Sequence, residues 1–310
     1  VGAEERATVV TAPTADLDPP VVVAPAQGSG GWAVGGSALA LRLLRGGGSV
    51  LLSVVVILGL WEGFIRIYHI QPIVAKDPLD VWRYLFTQHA SKIHGLRSAA
   101  ENRSVLFHNL ATTLHDAGVG YAAGIILALA VGCVFVLQRP LEQSFMPVAL
   151  MLRSVPLVAM TPLITLIFGR GIMAVAVIGG VVCFFPALVN IMHGFRSTPA
   201  ARIELLDAYG ASRWTILRKV LLPSALPSIF ASLRINVPAS VIGALLAEWL
   251  ATGKGAGQEM LTVQNTFDYG ELWSAVVLVT LVSVLAYSVV SAIEAGVLTR
   301  YAPDTVAKAA

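Results

Sequence analysis

The sequence predicts an all-α integral membrane protein with six transmembrane helices, and three observations carry that reading. Only 13% of the 310 residues are charged while 56% are hydrophobic, where ordinary soluble domains run at about 25% charged. Six apolar runs, 50–67, 117–137, 145–168, 172–191, 229–250 and 272–297, punctuate the chain. Each holds about 20 residues, enough as a helix to cross a hydrocarbon core of about 30 Å. Runs this long satisfy their backbone groups in lipid as helices rather than as strands of a barrel.

Taken in order, residues 1–45 are rich in Ala, Pro and Gly, with Pro19-Pro20 and Gly28-Ser29-Gly30-Gly31. They read as a disordered cytoplasmic tail, because Pro and Gly defeat both regular structures. The first forty residues hold no apolar core followed by a cleavage site, so no secretory signal is expected there. Residues 46–302 form the membrane domain, and 303–310 a short cytoplasmic tail. Within 78–115, Leu79, Trp82, Leu85 and Phe86 recur at roughly helical spacing and predict outer-surface or interfacial helices leading into the second span. Pro147, Pro156, Pro162, Pro186 and Pro238 interrupt the apolar runs. The backbone bonds they forfeit need neighbouring helices, which predicts a packed bundle. Six spans put both termini on one side. Residues 194–228 hold five basic residues, Arg196, Arg202, Arg213, Arg218 and Lys219, whereas the two later outer loops hold one each, Arg170 and Lys254. That asymmetry places the basic loop and both termini in the cytoplasm of a multi-pass cell-membrane protein.

The segment 198–223 is polar in an apolar neighbourhood. Thr198 is the expected N-cap of a helix with Pro199 in its first turn. Gly210 is the expected left-handed stop, and Ser212 caps a second helix running to Leu221. Leu222-Pro223 then begins the return to the membrane. Glu204 and Asp207 fall one turn apart on one face. On pattern alone the loop could be a solvated connector that obeys topology.

The same segment resembles the signature loop of permease subunits of ABC importers, Glu-Ala-Ala-x3-Gly-x9-Ile-x-Leu-Pro. Glu204, Gly210, Val220, Leu222 and Pro223 keep its spacing, with Leu205-Leu206 in place of Ala-Ala. Similarity extends over roughly 50–302, through Trp61-Glu62, Arg153-Ser154-Val155-Pro156, Thr161-Pro162-Leu163, Phe184-Phe185-Pro186, Gly210-Ala211-Ser212-Arg213-Trp214 and Ala247-Glu248. It resembles most the branch handling aliphatic sulfonates, taurine, nitrate and pyrimidine precursors. The resemblance implies a type I importer permease bundle. It implies that Glu204, Asp207, Ala208, Gly210, Leu222 and Pro223 belong to a helix docking on a cytoplasmic ATPase. It further implies two ATPase subunits, a second permease subunit and an extracytoplasmic binding protein.

Polar groups inside spans are costly and therefore candidates for function. Arg153 in the third run, Asn190, Asn236 and Glu248 are the translocation-path candidates. Packing or snorkelling is the competing reading for each. Arg153 and Arg234 would suit a small anion such as a sulfonate or nitrate, and a pyrimidine-type vitamin precursor stands open beside it. Gly253-Lys254-Gly255-Ala256-Gly257 lacks a following Lys-Ser/Thr and reads as a tight outer turn within reach of a binding protein. Cys133 and Cys183 lie in apolar runs with no disulfide or metal spacing. No nucleophile–base pair, HExxH or Cys/His cluster stands out, so no catalytic residue, metal or cofactor is expected. A net charge of +3 gives no reason to expect nucleic acid. The alternative class is an ATP-independent secondary transporter or channel, which would need an ion or proton site near the bilayer midplane.

Overall fold

A computed structural model describes residues 36–87, 89–91 and 95–301. The chain divides into two compact units, Val1–Ile57 and Leu58–Ala310. In the first, residues 36–57 are helical, within α1 (Gly36–Ile67). Residues 36–45, expected in the tail, are thus helix, in keeping with the Ala and Leu that dominate them. The tail proper, 1–35, and the C-terminal tail, 303–310, lie outside the described residues.

The second unit is nearly all helical. A short amphipathic helix, α2 (Pro78–Phe86), is capped by Asp77, which accepts the N–H of Asp80. It buries Val81 and Tyr84 and leaves Leu79 and Trp82 exposed. Two three-residue strands, β1 (His89–Ser91) and β2 (Gly95–Arg97), pair antiparallel with His89 opposite Arg97. Strands this short show no alternation that a sequence could reveal.

A capping box then starts α3 (Ala99–Leu137). The Ser98 hydroxyl accepts the Glu101 N–H, and Glu101 accepts the Ser98 N–H at 2.7 Å. No Pro interrupts 99–116, so the expected interfacial segment and the second span fuse into one 39-residue helix. The third run is not one span. It breaks into α4 (Arg139–Leu152) and α5 (Leu157–Phe168), whose axes bend by 103°. Pro156 cannot donate to the helix and disfavours helical backbone at Val155, and Ser154 turns its hydroxyl back onto the Met151 carbonyl at 2.7 Å.

Next come α6 (Ile172–Arg196), α7 (Ala200–Ala208), α8 (Arg213–Ile216), α9 (Leu222–Ala247), α10 (Gly255–Asn265) and α11 (Tyr269–Tyr301). The helical stop expected at Leu221 is not made. A π-helical turn, Leu217–Leu221, carries α8 into α9, with the Leu222 N–H reaching Leu217 O. The wide turn accommodates Pro223, whose ring would otherwise meet the carbonyl four residues back. A second π turn, Glu248–Thr252, ends in left-handed Gly253. Among the described residues four helices are long and apolar enough to cross a membrane, five if α4 and α5 count as one span. The expected six are therefore not shown, and the run at 50–67 is the end of α1.

The bundle is built on close contact between α3 and α6. Gly120, Gly124, Ala128 and Gly132 recur every fourth residue on α3 and are buried. A Cβ on Gly120 would stand 2.7 Å from Gly179 Cα, and one on Gly243 of α9 would stand 2.9 Å from the same atom. Small residues let three backbones converge there, the usual way helices associate without a hydrophobic driving force.

Candidate functional site

The polar loop has the expected helix–glycine–helix form. Gly210 is left-handed at φ +70; its N–H meets Asp207 O at 2.9 Å, and Ala211 N–H meets Leu206 O at 3.0 Å. Ser212 caps α8 by accepting the Thr215 N–H. The expected cap at Thr198 is not made. Pro199 occupies the N-cap position without a side-chain bond, and Thr198 is buried. Helix α7 turns Ile203 and Leu206 onto the core formed by Phe135, Leu188, Ile191 and Phe195. Its other face is solvent-exposed and holds Glu204, Asp207 and Ala208. Leu205, Tyr209 and Trp214 are 60%, 81% and 56% exposed. Pro223 is exposed and Leu222 half-buried.

Two arginines bracket this loop. Arg196, the last residue of α6, grips Glu142 of α4 through Nε at 2.9 Å. Arg213, the first residue of α8, donates to the Leu137 carbonyl at 3.1 Å.

The embedded candidates do not converge. Arg153 is exposed at the α4–α5 bend rather than deep in a straight span. Asn190 is half-buried on α6. Asn236 is fully buried and donates to Ser232 O at 2.9 Å. Glu248 is also fully buried, where it accepts from Thr113 Oγ1 at 3.0 Å and from the Gly257 N–H at 2.7 Å. The Ala256 N–H meets the same Thr113 hydroxyl at 2.9 Å. The glycine-rich turn is thus folded inward as the N-terminus of α10, with Gly255, Ala256 and Gly257 buried. Arg234 is not free for an anion, since it pairs with Glu294 at 2.9 Å.

A buried cluster escapes sequence reading. Arg97 and the Tyr84 hydroxyl both donate to Glu271 Oε2, at 3.2 and 2.9 Å, joining β2, α2 and α11. Burial first, and then the Glu271 carboxylate, hold the Tyr84 phenol above its ordinary range, so it remains a donor. The partners lie 174 and 187 residues apart, and no local motif marks them.

The family model described as binding-protein-dependent transport system inner membrane component matches residues 120–301. The chain belongs to this family. It is a multi-pass membrane permease component, and the match runs from Gly120 within α3 to Tyr301 at the end of α11. It is 28% identical over 199 residues to the formylaminopyrimidine transport permease protein ThiX of Halalkalibacterium halodurans, covering 64% of this chain and 80% of that one. It is 26% identical over 247 residues to a probable ABC transporter permease protein of Haemophilus influenzae, covering 80% and 94%. Taurine transport permease TauC of Escherichia coli is 27% identical over 205 residues, covering 66% and 72%. Among solved structures, a chain of the inward-facing MetNI methionine ABC transporter shares the fold, with TM-score 0.55 and 22% identity over 62% of this chain and 95% of that one.

Proposed function

We propose that this chain is the permease subunit of an ATP-driven importer and that α7 with the Gly210 turn is its seat on a cytoplasmic ATPase. The observation that carries the reading is the exposed face of the loop. Leu205, Tyr209 and Trp214 stand out beside Glu204 and Asp207, and exposed aromatic groups rimmed by charge mark protein contacts. In this reading two ATPase subunits engage a pair of permeases, with a second copy of this chain as the other permease. An extracytoplasmic binding protein delivers the solute. ATP is hydrolysed on the partner, and the permease contributes two access states that nucleotide must favour differently.

For the solute, the relatives' names span formylaminopyrimidine, taurine and nitrate. The reading is a small anion of sulfonate or nitrate type, or a pyrimidine-like vitamin precursor, with Arg153, Asn190, Asn236 and Glu248 as path candidates.

The test is purification of the tagged chain in mild detergent with identification of what accompanies it. A stoichiometric ATPase, lost when Glu204 and Asp207 are both changed to Lys, is the expected result. A homo-oligomer without ATPase, under conditions that keep a known ABC complex intact, would overturn the reading in favour of an ATP-independent transporter.

A further inference from the structure

Both ends of the polar loop are tied to one place. Arg196 is the last helical residue before the loop and Arg213 the first helical residue after the Gly210 turn. Their guanidinium groups reach across 54 and 76 residues of sequence and land within one six-residue corner, 137–142, where α3 ends and α4 begins. The chemistry at each foot is specific. Arg213 donates to the final carbonyl of α3, which has no partner within its own helix and carries the negative end of the helix dipole. Arg196 pairs with Glu142, which lies in the first turn of α4, where a carboxylate is favoured. The Glu142 side chain is only 14% exposed. The Arg196 side chain is 63% exposed, so the pair's value lies in the position it fixes rather than in the stability it adds.

We propose that Arg196–Glu142 and Arg213–Leu137 form a two-armed clamp that carries displacement of the loop into α4, and through α4 to the bend at Arg153–Pro156. The inference rests on the ATPase-coupling reading and assigns its transmission to named positioning residues. A loop held at one end could pivot. One held at both ends to the same corner moves that corner with it. The two arms differ in footing. Arg213 stands on α3, which is held against α6 by its Gly120, Gly124 and Gly132 contacts and serves as the fulcrum. Arg196 reaches α4, which has no fully buried residue and rests on the core through half-buried Leu141, Met146 and Ala149. The mobile partner is thus the short helix that leads into the 103° break.

The test uses the full complex with its co-purified ATPase. A thiol is introduced at the far end of α4 by Met151→Cys, at a position that is 71% exposed. Its reaction with a water-soluble maleimide is timed with and without ATP and vanadate, and the chain without the new thiol serves as the blank. The rate is expected to depend on nucleotide in the otherwise unaltered chain and to lose that dependence in Glu142→Arg and in Arg196→Glu, with the ATPase still bound. The Glu142→Arg/Arg196→Glu double variant, which restores the pair in reverse, is expected to regain it, which a merely misfolded single variant could not do. Nucleotide dependence that survives both single reversals overturns the clamp while leaving the coupling reading intact. If the otherwise unaltered chain binds no ATPase, the coupling reading fails and the clamp with it; if the ATPase is bound but the introduced thiol reacts without regard to nucleotide, the clamp alone is overturned.

Discussion

Gly124 gives the sharpest test of how the bundle is packed. A Cβ there would stand 2.6 Å from Gly180 O and 2.7 Å from Cys183 Cβ, where ordinary contact begins at 3.4 Å. Neither neighbour is the tip of a flexible side chain, so α3 and α6 would have to part by about 0.8 Å, the 3.4 Å of ordinary contact less the 2.6 Å found. Forcing atoms into a well-packed interface costs about 1–3 kcal/mol. Alanine also gains up to about 1 kcal/mol of helix propensity over glycine, which would blur a single measurement. Gly118, on the same helix, removes that ambiguity, because a Cβ there meets nothing within 4 Å. The quantity to read is the difference between Gly124→Ala and Gly118→Ala in thermal unfolding of the purified protein. Gly124→Ala is expected to melt lower by about 2–12 °C, taking 2–4 °C per kcal/mol over a cost of about 1–3 kcal/mol. Equal melting temperatures would refute the close approach of α3 and α6, and with it the argument that α3 is the fixed member of the corner.

Other substitutions test the buried polar groups and the loop. Arg97→Met strands Glu271 in the interior and is expected to destabilise by about 3–5 kcal/mol; Arg97→Met with Glu271→Leu is expected to recover most of it, read by the same melts. Glu248→Ala leaves the Gly257 N–H unpaired at a cost of about 1–3 kcal/mol, whereas Glu248→Gln keeps an acceptor oxygen and is expected to cost clearly less. Gly210→Ala forces a side chain into left-handed backbone at about 1–2 kcal/mol and is expected to weaken ATPase retention on a pull-down. Gly210→Pro also removes the N–H that meets Asp207 O and is expected to abolish it while membrane insertion persists.

The loop is legible because its signals are local. A glycine stop, a serine cap and two acids one turn apart all act within a few residues, and the geometry at Gly210 and Ser212 follows from them. Thr198 shows the limit of such reasoning. A threonine before a proline is a good cap in isolation, but tertiary packing buries it and leaves Pro199 at the boundary. The break in the third apolar run is visible as Pro156, yet hydropathy alone does not say whether the proline kinks a span or folds it by 103°. Pairings are the least legible. Arg97 with Glu271, Arg234 with Glu294 and Arg196 with Glu142 each join distant segments, and nothing in the neighbourhood of any one names its partner.

Those pairings change which charge an anion could meet. The sequence embeds Arg66, Arg153 and Arg234 in apolar runs. Arg66 is held by Glu62 at 2.6 Å and Arg234 by Glu294 at 2.9 Å, so each presents a neutralised pair. Arg153 has no acidic partner among the described residues, and it sits where the helix is already broken. A bend supplies carbonyls without helical partners and room for water, which lowers the cost of keeping a guanidinium at such a place. An unpaired cation there would attract an anionic solute more strongly than any of the paired arginines, because its field is not cancelled at short range. A neutral heterocycle would gain nothing from it. Under the proposed function, with Arg153 on the path, the choice between the two solute classes would fall on this residue, and the proposed clamp, in displacing α4, would displace its charge as well.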